Sequence, residues 1–236
     1  MFQKTLSLAT LSLSTADVYG QMGYGTQLPD DRTAAIVERM LAEAASVVRP
    51  RFCFTVLRGT VVGQQVSLYA DTDGAAGVEP SATTTLNVGA IIARELHHSE
   101  AFALFVATAG REYDAWRKQG DVVADYVADA IGSAIAERCA DALEQTLQAT
   151  VDKLGWHHTN RFSPGYCTWA TDGQRQLFSM IGVDRPCDVT LTDSAMMVPV
   201  KSVSGIIGLG TEVSRRDYAC RLCNYVNCFK RRLAPQ

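Results

Sequence analysis

The chain has no run of about 18 apolar residues, which a helix needs to cross a bilayer, so no membrane role is expected from its 236 residues. It has no excess of positive charge either. Net charge is −3 with four histidines, which argues against nucleic acid as the main partner. Repeats, low-complexity segments and a linker that would force a second domain are all missing. The start, Met1 to Ser14, lacks both an uninterrupted apolar run and a clean small-residue cleavage site, because Ser7, Thr10, Ser12 and Ser14 break it up. It therefore reads as a strand leading into a helix rather than a signal peptide. The seven cysteines are odd in number, which points to cytoplasmic thiols rather than a disulfide framework.

What is present is ordinary for a globular protein: 47% apolar and 20% charged residues, enough for a substantial core. Ser14 is the expected N-cap of the first helix, with Asp17 completing a capping box. A helix is expected from about Asp31 to Val48, then a strand from Arg51 to Leu57 that ends at Arg58-Gly59. Ile91 to His97 suggests a short helix. The run Ala101-Phe-Ala-Leu-Phe-Val-Ala107 suggests a central strand buried on both faces. From Asp121 to Leu154, Val127, Ile131, Ile135, Leu143, Leu147 and Val151 trace one helical stripe, with Gly132 marking a bend or a close contact. A short helix is expected near Gln174 to Ile181, and strand character from Val189 to Leu209, interrupted at Pro199 and Gly205. Strands and helices do not alternate regularly. The expected fold class is therefore α+β: a twisted, mainly antiparallel sheet with flanking helices. One domain is expected over 1–210, with a Cys-rich basic tail over 211–236.

Three segments carry chemistry. In Arg161-Phe-Ser163-Pro164-Gly165-Tyr166, Pro164-Gly165 makes a turn, and Gly165 lets a ligand approach the backbone. Arg161 offers a fork for a carboxylate and Tyr166 a flat ring. Taken alone, the hexapeptide also fits a plain surface turn with a salt-bridging arginine. The others are Leu191-Thr-Asp-Ser-Ala-Met-Met-Val-Pro-Val-Lys-Ser-Val-Ser-Gly205 and the helical run Ala134-Ile-Ala-Glu-Arg-Cys-Ala-Asp-Ala142, preceded by Ala107-Thr-Ala-Gly110.

In this order the segments resemble the activation domain of cobalamin-dependent methionine synthase. That family carries Arg-Pro-Ala-Pro-Gly-Tyr, then Leu-Thr-Glu-Ser and Ser-Val-Ser-Gly, after a helix of the type Ala-Leu-Ala-Asp-Arg-Leu-Ala-Glu-Ala. The likeness runs from about Val106 to Gly205. Ser163, Trp169, Gln174, Lys201 and the cysteine tail look more like smaller, free-standing relatives. The resemblance implies an S-adenosylmethionine (SAM) site in which Arg161 pairs with the ligand's carboxylate. The main chain of Ser163 and Gly165 would then hold adenine and ribose, Tyr166 would border the ligand where the corrin approaches, and Asp141 would bind its polar groups. Asp141 is one methylene shorter than the family's Glu, and is equally readable as a solvated helix carboxylate. The family's Tyr-Tyr pair falls near Arg215 and Arg216, so one expected SAM contact is missing. The implied role is an accessory to reductive methylation of cobalamin, with an electron donor such as flavodoxin or ferredoxin. The chain has no Asp-x-His-x-x-Gly corrinoid signature. Cobalamin is therefore expected on a separate methionine synthase or another corrinoid methyltransferase. No Gly-x-Gly-x-Gly loop follows a first strand, so a self-contained methyltransferase of the common fold is not expected.

Cys220, Cys223 and Cys228 have the spacing C-x2-C-x4-C. Three thiolates fit a zinc ion or an iron–sulfur cluster if Cys167 or Cys187 supplies a fourth ligand. They equally fit a redox pair or inert thiols, and a metal-loaded tail would make a non-enzymatic docking module. The pairs His97-His98 and His157-His158 point in different directions and read as structural or surface residues.

Overall fold

The computed structural model describes residues 1–25, 27–69, 83–118 and 120–216. Its frame is a seven-stranded sheet in which every pairing is antiparallel. The strands are β1 (Phe2–Thr5), β2 (Arg51–Val62), β3 (Gln65–Tyr69), β4 (Thr83–Asn87), β5 (Ala101–Thr108), β6 (His157–His158) and β9 (Ser202–Gly210). They run in the order β4-β3-β2-β5-β9-β6, with β1 beside β2. A separate hairpin pairs β7 (Thr190–Leu191) with β8 (Met197–Val198). The helices are α1 (Thr15–Gln21), α2 (Asp31–Val47), α3 (Gly89–Leu96), α4 (Arg111–Trp116), α5 (Val122–Val151) and α6 (Gly173–Met180).

β5 is buried at every position, and its alternation decides how the two faces are covered. Ala101, Ala103, Phe105 and Ala107 face one core, and Phe102, Leu104 and Val106 face the other. The alanine-rich face lets the 30-residue α5 lie close, itself buried through Ala128, Ala130, Ala134, Ala136 and Ala140. Small side chains on both elements allow backbones to approach, so from Val127 to Val151 the helix buries a broad face that includes the expected stripe. The opposite face is covered by α3, α6 and the Pro186–Asp188 turn, through Ile92, Leu96, Leu177 and Cys187.

Local signals hold up well. Ser14 and Asp17 form the reciprocal capping box of α1. Gly132 marks a close contact: a Cβ there would lie 2.2 Å from the Tyr113 ring. At the strand-to-helix turn after β5, Gly110 adopts φ +96° and donates its N–H to Thr108 Oγ1. Two glycines expected to end or interrupt strands do neither. Gly59 lies inside β2, where a Cβ would be 2.4 Å from the Ser67 carbonyl, and Gly205 lies inside β9. Both are places where another backbone presses on the strand, and only the absence of a side chain permits it. Neither β3 nor β4 was expected: β3 is short, with only Val66 and Leu68 buried, and β4 is threonine-rich.

Candidate functional site

The site is built on β9. The chain after α5 runs back beside that strand. His157 and His158 pair with Gly210 and Leu209, and Thr159 exchanges hydrogen bonds with Gly208. Phe162 N–H donates to the Ile206 carbonyl at 3.0 Å, and Ile206 N–H to the Phe162 carbonyl at 2.8 Å. Gly205 makes this contact possible, since a Cβ there would lie 2.1 Å from the Phe162 oxygen. The Ser-Val-Ser-Gly segment thus fixes the backbone that carries Arg161.

From that backbone Arg161 reaches α5. Its Nη1 is 2.9 Å from Asp141 Oδ1 and 3.4 Å from Glu144 Oε2, and its Nη2 is 2.9 Å from Glu137 Oε2. Residues 137, 141 and 144 lie four and three apart, on one face of the helix. Burial disfavours the Arg161 cation, but the charges of Glu144, Glu137 and Asp141 outweigh it and hold the guanidinium pKa above the ordinary arginine value. The pattern extends in both directions. Arg138 lies 2.6 Å from Asp17 and 3.6 Å from Asp141, and Arg215 lies 3.5 Å from Glu144. A chain of alternating charge therefore runs from α1, over α5, to the segment after β9.

The turn after Arg161 is shaped by its own hydrogen bonds. Gly165 sits at φ +92° and donates its N–H to the Trp169 carbonyl at 2.7 Å. Tyr166 N–H donates to Ser163 and Trp169 N–H to Tyr166. Trp169 is buried and anchors the turn, while Tyr166 stays half exposed. Beneath it, the buried Gln174 joins two segments: its Oε1 accepts from Ser204 Oγ and its Nε2 donates to the Ala195 carbonyl. Lys201 ties the start of β9 to α5 through Asp129 at 2.8 Å and Ser133 at 2.9 Å.

The structure thus brings Arg161 and Asp141 into direct contact, with Ser163, Gly165 and Tyr166 in the turn that follows. Glu137, Glu144 and the bridging role of Gln174 escape the sequence reading. The acidic spacing 137, 141, 144 along α5 was the available signal for the first two. Cys220, Cys223 and Cys228 lie outside the described residues. Among the described residues no group of three or more His, Cys, Asp or Glu side chains could hold a metal ion. Cys187 is buried in the core and hydrogen-bonds Cys53, which together with burial pushes its thiol pKa up. That burial removes it as a surface ligand. His97 and His98 pack ring edge to face, 5.0 Å apart. No helix among the described residues is long and apolar enough to cross a membrane. A shallow hollow of about 330 Å³ at the end of α6 is lined by Phe178, Ser179, Gly182, Val183 and Asp184, and includes none of the site residues.

The family model described as vitamin B12 dependent methionine synthase, activation domain, matches residues 37–227. The chain belongs to this family. Among solved structures it is similar to the MetH reactivation domain bound to AdoHcy, with a TM-score of 0.66 and 17% sequence identity, covering 88% of this chain and 77% of that one. At that identity the likeness establishes the fold. No curated protein matches the chain.

Proposed function

We propose that the chain binds SAM and supports reductive methylation of cobalamin carried by a separate methionine synthase. The observation that carries this reading is the placement of Arg161. In a chain of this family, an arginine held by α5 carboxylates opens directly into a glycine turn bordered by an exposed tyrosine. This residue set fits the ligand chemically. A guanidinium suits its carboxylate, an open glycine turn suits close packing of adenine and ribose, and an aromatic face suits a sulfonium cation.

The ligand's carboxylate would reach Arg161 by exchange with Glu137 and Asp141. Both are more than a third exposed, so water compensates them when they let go. Glu144 is buried and stays with the arginine. Asp141 is then placed to accept from the ligand's polar groups. The main chain of Ser163 and Gly165 borders the nucleoside, and Tyr166 lies where the corrin-bearing partner approaches. SAM, when bound, would supply an electrophilic methyl group to cobalamin on the partner and leave as S-adenosylhomocysteine, with one electron drawn from an external donor such as flavodoxin or ferredoxin. The protein's own work is positioning, holding the sulfonium methyl toward the partner near attack distance.

Calorimetric titration with SAM tests the reading, with S-adenosylhomocysteine and methionine as controls. Saturable one-to-one binding supports it. No binding at millimolar SAM overturns it.

A further inference from the structure

The segment after β9 returns to the site and is held there. Val213 is buried, and Asn160 Nδ2 donates to the Arg216 carbonyl at 2.5 Å. The backbone on both sides of Arg215 is thus pinned next to the residue that precedes Arg161. From this position Arg215 Nη1 lies 3.5 Å from Glu144 Oε2, the same oxygen that Arg161 Nη1 approaches at 3.4 Å. One buried carboxylate therefore holds two guanidinium groups side by side.

The charges of this arrangement are unequal. Burying the Glu144 carboxylate is costly unless cations compensate it, and one arginine would serve. Among the described residues Arg215 makes this one ion pair, at 3.5 Å, so its guanidinium retains donors for a further anion. Arg161 has Glu137 and Asp141 on its other edge. Arg215 is 62% exposed and faces solvent over the same carboxylate, so an incoming anion meets it without displacing a core contact. Glu144 Oε1 is buried and accepts no hydrogen bond, so this side chain is held by its two ion pairs and not by a local hydrogen-bond network.

We infer that Arg215 is a second cation for the carboxylate of the bound ligand, and that Glu144 is the positioning residue that holds Arg161 and Arg215 on the same side of it. The inference rests on the SAM reading and deepens it: the site selects nucleosides that carry an amino-acid carboxylate. In this chain the arginine stands where the resemblance places an aromatic pair, and it supplies charge where the family's residues would supply ring contact.

The test is calorimetry on the full chain with two ligands. S-adenosylhomocysteine carries the carboxylate. Its decarboxylated analogue keeps the nucleoside, sulfur and amine but lacks that group. For Arg215→Gln the expected result is a loss of about threefold to fivefold in affinity for S-adenosylhomocysteine, the scale of one exposed charge pair, with no change for the analogue. Arg215→Lys should retain part of the preference. Glu144→Gln should narrow the gap between the two ligands in the same way, a readout that a merely structural role would not move. Equal binding of S-adenosylhomocysteine by wild type and Arg215→Gln overturns the inference while leaving the SAM reading standing. Equal losses for both ligands also overturn it. Failure of the wild-type chain to bind S-adenosylhomocysteine is a separate result, which overturns the SAM reading and the inference together.

Discussion

Arg161 and Glu144 form a buried ion pair, Nη1 to Oε2 at 3.4 Å, with side chains 11% and 4% exposed. The relationship joins the strand-like segment after α5 to the helix itself, and it makes Arg161 a structural as well as a candidate binding residue. Arg161→Ala should therefore have two effects. SAM affinity should fall by about 1.5–3 kcal/mol, the scale of a lost charged hydrogen bond. Folding stability should fall by about 2–3 kcal/mol, because Glu144 is left with Arg215 alone. Adding Glu144→Ala should restore part of the stability but none of the affinity. Urea melts and calorimetry on the double-mutant cycle separate the two, and additive stability losses would rule out the coupling.

Gly205→Ala should be among the most damaging small substitutions. The new methyl would meet the Phe162 carbonyl at 2.1 Å, forcing the Arg161 segment off β9. A loss of roughly 3 kcal/mol or more is expected, read from urea unfolding. A wild-type midpoint would mean that the segment can shift freely.

Gln174→Ala removes both bridges of the turn's support, leaving the Ser204 hydroxyl and the Ala195 carbonyl without their partner. A cost of about 2 kcal/mol is expected. Adding Ser204→Ala should recover a fraction of it, because one orphaned polar group is then gone. Thermal melts of the single and double variants check this.

Asp17 couples stability to pH. Burial alone would raise its pKa, but hydrogen bonds from Arg138 and Ser14 and the Arg138 charge bring it below the ordinary 3.8. A lowered folded pKa means that the contribution is complete above 3.8 and disappears as pH falls through the folded value. Asp17→Asn should thus cost about 1 kcal/mol at neutral pH, discounted for the exposure of Arg138. It should cost nothing once the wild-type carboxyl is protonated. A gap between the two proteins that persisted in strong acid would show that charge is not its source.

The buried thiols should be silent in the native state. Cys53, Cys139 and Cys187 are buried away from reagent, and burial also pushes the Cys139 pKa up to about 12, so its thiolate is scarce at pH 8. Iodoacetamide followed by mass spectrometry should leave all three unmodified until denaturant is added. Rapid native labelling of Cys139 would contradict its placement on the buried face of α5.

Much of the architecture was legible because its signals are local. The Ser14–Asp17 box, the continuous apolar run of β5 and the long stripe of α5 each lie within one element, and each appears in place. Gly59 and Gly205 misled because a glycine in a strand looks the same in sequence whether the strand ends or another backbone crosses it. β4 was silent because it lies at the sheet edge, where a polar, threonine-rich sequence suffices, and β3 because only Val66 and Leu68 of its five residues turn into the core.

For the candidate site, the sequence by itself supplied the parts: Arg161, the Ser-Pro-Gly-Tyr turn, Asp141 and the Ser-Val-Ser-Gly segment, together with their order. The tertiary structure decided how they meet. Only folding places Arg161 against the 137, 141 and 144 face of α5, and only folding brings Arg215 to the oxygen that Arg161 already approaches. Charge pairing across 20 residues and more depends on distances that no spacing rule encodes, because they are set by how β9 and α5 pack into one core.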